Sequence, residues 1–449
     1  MVQGRDGRPR GSREIGTAKL SLPAQIGYGA GQMAGQVFRD TPSLLLLFFM
    51  TSVLGIDPAL AGTAIFLPKL IGGIVFDVSA GLLSDRWQAR FPRRHWLLVG
   101  MLAAPAALIL LFNVPPGTGP ERSLYVVGAF ALYMAVYASF SVPYLAFAGD
   151  LRLDPHQRTV LMAWRLGFTA IGVLVAGAVA PGYVAASGGG EPGYAAMAIL
   201  LAAICSVSLL IGWWGAGRAE REAGVELAPQ EKLTLSAALS ALADRRFSIL
   251  ALVNLLQLAG AGMAYAGLIY FMTYNLGEAN ALAKVGPVVL LSCVGIVVAQ
   301  PIWVKLSARY GKKNCYVAAA LVHATAHLGW ALSSIGGLPV LYGFALLLGI
   351  GNSGWALLGF SMLADLAGEG KAGLYSAVFI ALDKIAFALG GALIIGLILS
   401  SFGFDSAAAA SGGPQPASAL TGILLAFSIV PALCNIVAAA ILARWGRTQ

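Results

Sequence analysis

Charged residues are scarce in this chain of 449 residues. They make up 11% of it, and hydrophobic residues make up 58%, whereas a soluble globular domain carries about 25% charged residues. The scarcity of charge excludes a soluble enzyme of this length, and the abundance of apolar residues excludes disorder. The composition therefore indicates a protein that crosses a lipid bilayer several times.

Cysteine is scarce too, and it follows no pattern. The four cysteines lie apart, mostly in apolar runs: Cys205, Cys293, Cys315 and Cys434. No CxxC pair or zinc-ligand spacing occurs, so we expect inert thiols, no metal site and no cofactor. The basic N-terminus leads into an apolar run longer than that of a signal peptide, which predicts an uncleaved first span.

Apolar runs near the roughly 20 residues of a membrane helix predict an all-α membrane protein with twelve transmembrane helices. Their approximate limits are 27–53, 60–84, 96–113, 124–149, 160–184, 193–216, 247–275, 284–306, 314–334, 338–364, 372–402 and 418–443. A polar linker, 217–246, divides an N-terminal bundle of six helices (27–216) from a C-terminal bundle of six (247–443). Tails of 1–26 and 444–449 flank the bundles.

The positive charges predict the orientation of these helices. Of the 29 Lys and Arg, four lie inside the spans and two, Arg122 and Lys284, lie in loops on one side; all others lie on the opposite side. Basic loops stay in the cytoplasm, so we expect both termini there, in an inner, cytoplasmic-type cell membrane. The net charge of +9 is then a topology signal and not a sign of nucleic-acid binding.

The two halves echo each other at their loops. The motifs after spans two and eight correspond, as do those after spans four and ten: Leu83-Ser84-Asp85-Arg86, Leu306-Ser307-Ala308-Arg309, Ala148-Gly149-Asp150-Leu151 and Leu363-Ala364-Asp365-Leu366. Two such repeats imply a central cavity at their interface and a rocking motion that opens it to either side in turn.

Several motifs carry a family resemblance. Gly81-Leu82-Leu83-Ser84-Asp85-Arg86 with Arg93-Arg94 resembles the signature loop of the major facilitator superfamily. A string of matches covering nearly the whole chain resembles the glycoside–pentoside–hexuronide:cation symporter family, including Tyr28-Gly29-Ala30-Gly31, Val142-Pro143-Tyr144, Asp244-Arg245-Arg246-Phe247, Met362-Leu363-Ala364-Asp365 and Gly373-Leu374-Tyr375. The resemblance implies the major facilitator fold, with two pseudo-symmetric bundles, and a transporter. It does not fix the substrate, since the broader group includes lysolipid and amino-acid carriers.

Charged loop residues predict a cytoplasmic gate. A carboxylate at a helix end and clustered arginines can bridge neighbouring helices in one state and release them in the other. The candidates are Asp85, Arg86, Arg93, Arg94, Asp150 and Asp365.

Seven ionisable residues lie inside the expected spans: Arg39, Asp40, Lys69, Asp77, Arg165, Asp383 and Lys384. Such residues are costly in a bilayer, so each is a functional-site hypothesis. Four are positive and three negative, and the surplus positive charge favours an anionic or strongly electronegative substrate. The alternative is that they only pair with one another or reach the membrane interface.

Asp77 is the candidate for cation coupling, together with Ser141 and Lys384, because it resembles the acid on the family's second helix. Where sodium-coupled members have a second acid, an amide and a span-four acid, this chain has Gly73, Phe76 and Ser141. Sodium needs several oxygen ligands, so we expect protons, or no cation coupling, in preference to sodium. Alternatively, Asp77 forms a packing salt bridge with Lys69 or Lys384.

Candidates for substrate binding follow from the resemblance and from the buried charges. Arg165 and Lys384 lie in pseudo-equivalent spans and are expected to face the cavity, unless they only neutralise Asp77 and Asp383. The full set is Gln36, Arg39, Asp40, Tyr137, Ser141, Arg165, Trp355 and Lys384. His323 and His327 lie one turn apart, where helix contacts are expected before metal binding.

The sequence thus predicts a secondary active transporter, not an enzyme. It would move a small organic solute (a glycoside, a uronate or another organic anion) by alternating access with proton coupling, as a monomer in the bilayer, with no nucleic-acid partner. The alternatives are a carrier for lysolipid-like amphiphiles or an exporter, sodium-coupled or uncoupled, and a membrane scaffold or sensor.

Overall fold

The computed structural model describes residues 19–225 and 240–445, apart from the side chains at 74, 155 and 367–373. These residues are helical or form short connections, and one isolated bridge joins Leu151 to Val225. Most of the predicted N-terminal tail, the middle of the linker and residues 446–449 lie outside the described residues.

The helices follow the apolar runs closely. We label them α1 (22–53), α2 (58–87), α3 (Arg93–Phe112), α4 (Gly119–Asp150), α5 (His156–Ala186), α6 (Gly190–Ala223), α7 (Arg245–Asn275), α8 (Ala281–Tyr310), α9 (Lys312–Ala331), α10 (Ser333–Leu366), α11 (Leu374–Ser401) and α12 (Ala417–Trp445). Within the described residues, nine of these are long and apolar enough to cross a membrane; α1, α2 and α9 are not in that group. The count of twelve spans therefore stays a prediction.

Two helix limits differ from the sequence prediction. α6 continues to Ala223 instead of ending at 216, because Arg218 and Glu222 pair one turn apart at 2.9 Å and Glu222 accepts a 2.7 Å bond from the Ser21 backbone N–H. Polar residues thus extend a helix whose apolar run has ended.

The second difference concerns α10 and α11, which were expected as separate helices. The backbone is helical without interruption from Ser333 to Ala388. Even so, the rings of Phe360 and Phe379 lie 5.6 Å apart, whereas a straight helix would separate them by about 28 Å. The chain therefore turns back between these two rings, and α10 and α11 pack side by side.

Close packing depends on glycine pairs between helices. A Cβ on Gly215 of α6 would overlap the backbone of Gly27 on α1, and Gly31 and Gly212 meet one turn further along. Between the halves, a Cβ on Gly396 of α11 would overlap the carbonyl oxygen of Pro58. Small residues allow this approach because membrane helices gain stability from backbone proximity.

The helices of the two halves meet mainly at one end. α2 packs on α11, α5 on α8 and α1 on α7, pairs that the six-helix repeat relates to one another. At this closed end, Thr51 bonds to the Tyr270 hydroxyl at 2.5 Å and Ser400 donates to Asp57 at 3.2 Å. The opposite, open end carries the basic loops after α2 and α8. The closed end therefore seals one end of the space that contains the charged residues of the helices.

Candidate functional site

An ion pair joins the two halves midway along the helices. Lys384 Nζ on α11 donates to Asp77 Oδ2 on α2 at 2.5 Å. Asp77 directly follows a π-helical turn, Gly72–Phe76, that widens α2; such turns recur at functional sites. A Cβ on Gly73, one turn before Asp77, would meet nothing within 4 Å. The Asp77 carboxylate thus has one cationic partner and open space beside it.

A second ionic group lies on α1. Asp40 accepts bonds from Arg39 Nε at 3.0 Å and from Gln36 Nε2 at 2.6 Å. The Asp40 side chain is 8% exposed, whereas that of Arg39 is 61% exposed. Adjacent helical residues point about 100° apart, so Asp40 is held inside the bundle while Arg39 extends away from it.

Lys69 on α2 completes this group. Its Nζ donates to Ser43 Oγ at 2.9 Å, and Ser43 Oγ in turn donates to the Arg39 carbonyl at 2.8 Å. The Lys69 ammonium also lies 6.0 Å from the centre of the Phe130 ring. Lys69 is therefore held by a hydroxyl group and an aromatic face instead of a carboxylate.

The exposed surface of Arg39 faces a cavity between the halves. Its guanidinium is within electrostatic range of side chains from α2, α4, α7 and α11; they are Lys69, Tyr137, Tyr265, Asp383 and Lys384. A side chain surrounded by four other helices can be 61% exposed only if the space among them is open. Arg39 thus extends into a central cavity.

Asp383, next to Lys384 on α11, has a different partner. Asn254 Nδ2 on α7 donates a short hydrogen bond to Asp383 Oδ1. Consecutive residues on α11 therefore bond in two directions, Lys384 to the N-terminal half and Asp383 within the C-terminal half.

Arg165 on α5 lies nearer the open end. Its Nε donates to Gln32 Oε1 at 2.7 Å, and its guanidinium carbon is 5.7 Å from the centre of the Tyr144 ring. Gln32 is seven residues before Arg39, which separates the two sites by about 10 Å along α1. The alternative that Arg165 only neutralises Asp77 or Asp383 has no support in these contacts, because the hydrogen-bond partner of Arg165 is the Gln32 amide. Sequence reasoning missed Gln32, although an amide one turn before Gln36 was a usable signal.

The other predicted binding residues do not all lie near the charged cluster. Tyr137 stacks on Phe38 at 6.2 Å and is within electrostatic range of Asp77 and Lys384. Ser141, one turn later, has no hydrogen-bonding partner among the described side chains. Gln36 is 3% exposed and bonded to Asp40. The ring of Trp355 lies 6.0 Å from that of His323 on α9, away from the charged cluster. Their roles in substrate binding stay predictions.

The predicted gate residues form ion pairs within each half. Arg93 at the start of α3 is buried and bonds to Asp85 at 2.5 Å and to Asp150 at 2.6 Å, which ties the ends of α2 and α4 to α3. Arg94 pairs with Glu220 at 3.3 Å. Arg86 is exposed, and in the second half Lys312 pairs with Asp365 at 2.6 Å. Release of these bonds in another state stays a prediction.

His323 on α9 belongs to a buried polar network, whereas His327, one turn later, has ring contacts with His323 and Trp330 and no side-chain hydrogen bond among the described residues. His323 Nδ1 is 3.0 Å from Asn435 Oδ1 on α12, and Gln257 Nε2 on α7 donates to the same oxygen at 3.3 Å. The Tyr316 hydroxyl in turn donates a hydrogen bond to Gln257 Oε1. These are helix contacts, as the sequence predicted. Within 19–225 and 240–445, no group of three or more His, Cys, Asp and Glu could hold a metal ion.

Residues 27–446 match the model of a family described as MFS/sugar transport protein. The inner membrane symporter YicJ of Escherichia coli is 24% identical, over 95% of this chain and 92% of its own. A putative sulfoquinovose importer of Salmonella typhimurium is 26% identical, over 86% and 83%. Among solved structures, the nucleoside transporter NupG aligns with a TM-score of 0.70 at 14% identity, over 95% of this chain and 99% of NupG.

Proposed function

The chain belongs to the MFS/sugar transport protein family, and from that membership we propose how this secondary transporter of small organic solutes couples and selects its substrate. It is a multi-pass membrane protein with the major facilitator fold, and its symporter relatives cover most of its length. The proposal is a proton symporter in which Asp77 carries the proton. The observation that supports it most is the bond between Asp77 and Lys384, which joins the two halves.

The open end is assigned to the cytoplasm. Its loops carry the clustered arginines and lysines, and such loops are retained on the cytoplasmic side. With both termini on the cytoplasmic side of an inner cell membrane, the proposed state is inward-facing, and the seal formed by α1, α2, α5, α7, α8 and α11 closes the outer side. Transport proceeds when the halves rock about the central charges so that this seal opens.

Coupling follows from the charge on Asp77. While ionised, Asp77 holds Lys384 and so holds α2 against α11; when it takes a proton, its charge is lost and the ionic bond with it. Binding of a proton therefore changes the free energy of separating the halves, which is the differential interaction that a coupled carrier requires. Lys384 exchanges a carboxylate partner for solvent or substrate at that step.

Sodium coupling has less support in the geometry. The ammonium group of Lys384 already occupies one face of Asp77 at 2.5 Å. Gly73 contributes no second carboxylate, and the space beside it is open. A sodium ion at this position would have the two oxygens of one carboxylate as ligands and a lysine ammonium beside it. That is fewer oxygen ligands than sodium needs, and the neighbouring positive charge repels the ion.

The substrate is proposed to be a sugar-like solute or an organic anion. Arg165 and Lys69 are half-buried, and each lacks a carboxylate partner within the described parts of the chain; removing a cation from water without such a partner is unfavourable. The name of the Salmonella relative specifies sulfoquinovose, a sulfonated sugar, which fits a cavity with a positive surplus. Glycosides and uronates share the polyol part of such a molecule.

A carrier for amphiphiles is the second candidate. It would need a wide lateral opening beside α5 and α8. Toward the closed end these helices instead approach closely, because a Cβ on Gly177 would lie 2.8 Å from Val289 Cγ1 and one on Gly286 would lie 3.1 Å from Ala178 Cβ. The seam between α5 and α8 is therefore closed at that end and gives the amphiphile carrier no support there.

Transport in proteoliposomes tests the proposal. Wild-type protein is expected to accumulate solute when an inward proton gradient is imposed, and not when an equal sodium gradient replaces it. Asp77→Asn is expected to abolish accumulation but to keep counterflow, since exchange of solute needs no net proton movement. Glu278→Gln breaks another lysine–carboxylate pair, with Lys284 at the closed end, and serves as the matched control.

Two results would count against this mechanism. Accumulation by Asp77→Asn at the wild-type level would remove Asp77 from coupling. Absence of counterflow for every solute tested with wild-type protein would favour the scaffold or sensor alternative.

A further inference from the structure

Arg39 presents unused hydrogen-bond donors to the central cavity. Its Nε bonds to Asp40 at 3.0 Å, and its two Nη groups have no protein partner among the described residues. The planar fork of a guanidinium fits a carboxylate or sulfonate through two parallel bonds. The Arg39 side chain, at 61% exposed, is oriented for such a ligand.

The carboxylates nearby do not supply that partner in this structure. Asp40 is bonded to Arg39 Nε and Gln36, Asp77 to Lys384, and Asp383 to Asn254. Each therefore already has a donor that holds its orientation. In this arrangement both Nη groups of Arg39 are left for an anion from solution.

Two neighbours strengthen the same position. Lys69 lies within electrostatic range of Arg39, and among the described residues its one hydrogen-bond partner is the Ser43 hydroxyl. Across the cavity, on α7, the Tyr265 hydroxyl is within electrostatic range of Arg39 and is buried without a hydrogen-bond partner in the part of the chain that the structure describes. A buried hydroxyl lacking a partner costs free energy, and an anion placed between Arg39 and Tyr265 would satisfy it.

We propose that Arg39, with Lys69 and Tyr265, binds the carboxylate or sulfonate group of an organic monoanion, and that this group bridges the two halves. The inference deepens the proposed function and rests on it. Tyr137, which is half-buried and within electrostatic range of Arg39, offers an aromatic ring on which the face of a sugar can pack.

Charge balance connects this site to coupling. The cluster around Arg39 holds three cations, Arg39, Lys69 and Lys384, and three carboxylates, Asp40, Asp77 and Asp383. With all six ionised it is neutral; with Asp77 protonated it carries one positive charge, which the substrate anion balances. Proton and anion therefore favour each other's binding and cross the membrane as an electroneutral pair.

Binding to purified, detergent-solubilised protein tests the site. The probes are glucuronate, galacturonate and 6-deoxy-6-sulfoglucose, compared with glucose, galactose and methyl glucuronate ester, using ligand-induced thermal stabilisation. At least one acid is expected to bind, and its uncharged counterpart to bind more weakly by roughly ten- to a hundredfold. Arg39→Gln should weaken binding of the acid by a similar factor, Arg39→Lys by less, and Lys284→Gln not at all.

The melting temperature of each variant without ligand shows whether it is folded, and Arg39→Lys keeps the charge if Arg39→Gln fails to fold. Uptake of the acid is further expected to be independent of an imposed membrane potential. The site is overturned if no acid binds, if neutral sugars bind as tightly as acids, or if Arg39→Lys and Arg39→Gln both bind like wild type. Accumulation of a neutral sugar driven by protons and lost in Asp77→Asn would overturn the anion site while leaving the proposed function intact.

Discussion

Tyr28 and Tyr144 each donate a hydrogen bond to the backbone of the other. The Tyr28 hydroxyl bonds to the Tyr144 carbonyl at 2.9 Å, the Tyr144 hydroxyl bonds to the Tyr28 carbonyl at 2.6 Å, and the rings stack at 4.7 Å. This reciprocal pair joins α1 to α4 directly beneath the guanidinium of Arg165.

Removing either hydroxyl is expected to destabilise the N-terminal half without changing the site. Tyr28→Phe and Tyr144→Phe should each cost about 1 kcal/mol, because a buried carbonyl loses its second donor. The ring beneath Arg165 remains in Tyr144→Phe, so solute binding should persist. Thermal melting in detergent measures the first effect and counterflow the second. Tyr183→Phe, at an exposed position, is the control; an equal loss there would contradict the argument.

Arg93 and Lys312 occupy corresponding loops, and their ion pairs should differ greatly in how much they contribute to the free energy of unfolding. Both lie 2.6 Å from a carboxylate, but the Arg93–Asp150 pair is 3% and 5% exposed, whereas the Lys312–Asp365 pair is 40% and 60% exposed. Arg93→Gln leaves a buried carboxylate unpaired and should cost about 3–5 kcal/mol. Lys312→Gln should cost about 1 kcal/mol or less.

The same reasoning provides a rescue. In the Arg93→Gln background, Asp150→Asn removes the unpaired charge and should restore part of the melting temperature. Expression level and detergent melting report both variants. No difference between Arg93→Gln and Lys312→Gln would mean that burial does not decide the strength of these pairs.

The hydrogen bond between Thr51 and Tyr270 is expected to stabilise the conformation in which this end of the molecule is closed. Tyr270→Phe removes a link of about 1 kcal/mol, which should shift the balance toward outward-open molecules about fivefold. A cysteine introduced at Ala392, buried where α11 meets α2, would then react faster with a membrane-impermeant maleimide added outside. Thr325→Val, which loses a local bond on α9, should leave the rate unchanged. A slower reaction in Tyr270→Phe would contradict the assignment of the seal.

Gly396 is expected to be necessary for closure, because a Cβ there would overlap the carbonyl oxygen of Pro58 and lie 3.2 Å from Gly62 Cα. Gly396→Ala should slow transport severalfold and raise labelling at position 392. Gly128→Ala is the matched change, since nothing lies within 4 Å of its added Cβ. That variant should keep full transport and gain slightly in stability, as Gly→Ala does inside helices. Equal transport by both variants would remove Gly396 from the seal.

Much of the fold could be predicted from the chain because its signals are local. A run of apolar residues is a helix in lipid wherever it packs, so the limits of α3, α4 and α7 were close to those expected. The resemblance to the glycoside–pentoside–hexuronide:cation symporter family, carried by short motifs such as Gly81 to Arg86, is confirmed by relatives along the chain. The end of α6 was placed too early because Arg218, Glu222 and Ser21 support it through contacts with a distant segment.

The site was predicted only in part. The seven charges inside the helices were found because charge in a membrane is rare, and one alternative named the Asp77–Lys384 pair. The partner of Arg165 was not found, because the choice between a carboxylate and the Gln32 amide depends on where α5 meets α1. Trp355 was predicted to bind substrate because of the family resemblance. In the structure its ring lies near His323 on α9.

The sequence by itself determined that this protein is surrounded by lipid and where its basic loops lie. Both depend on composition and on the distance between charges along the chain. It also determined that a few ionisable residues must meet one another away from lipid. Only the tertiary structure decided how they meet: Asp40 lies inside the bundle, Lys384 bonds across the interface, and Arg39 directs two Nη groups, unbonded within the described residues, into the cavity. That division arises because helix formation in lipid is satisfied within each segment, whereas the pairing of buried charges depends on how the helices are oriented toward one another.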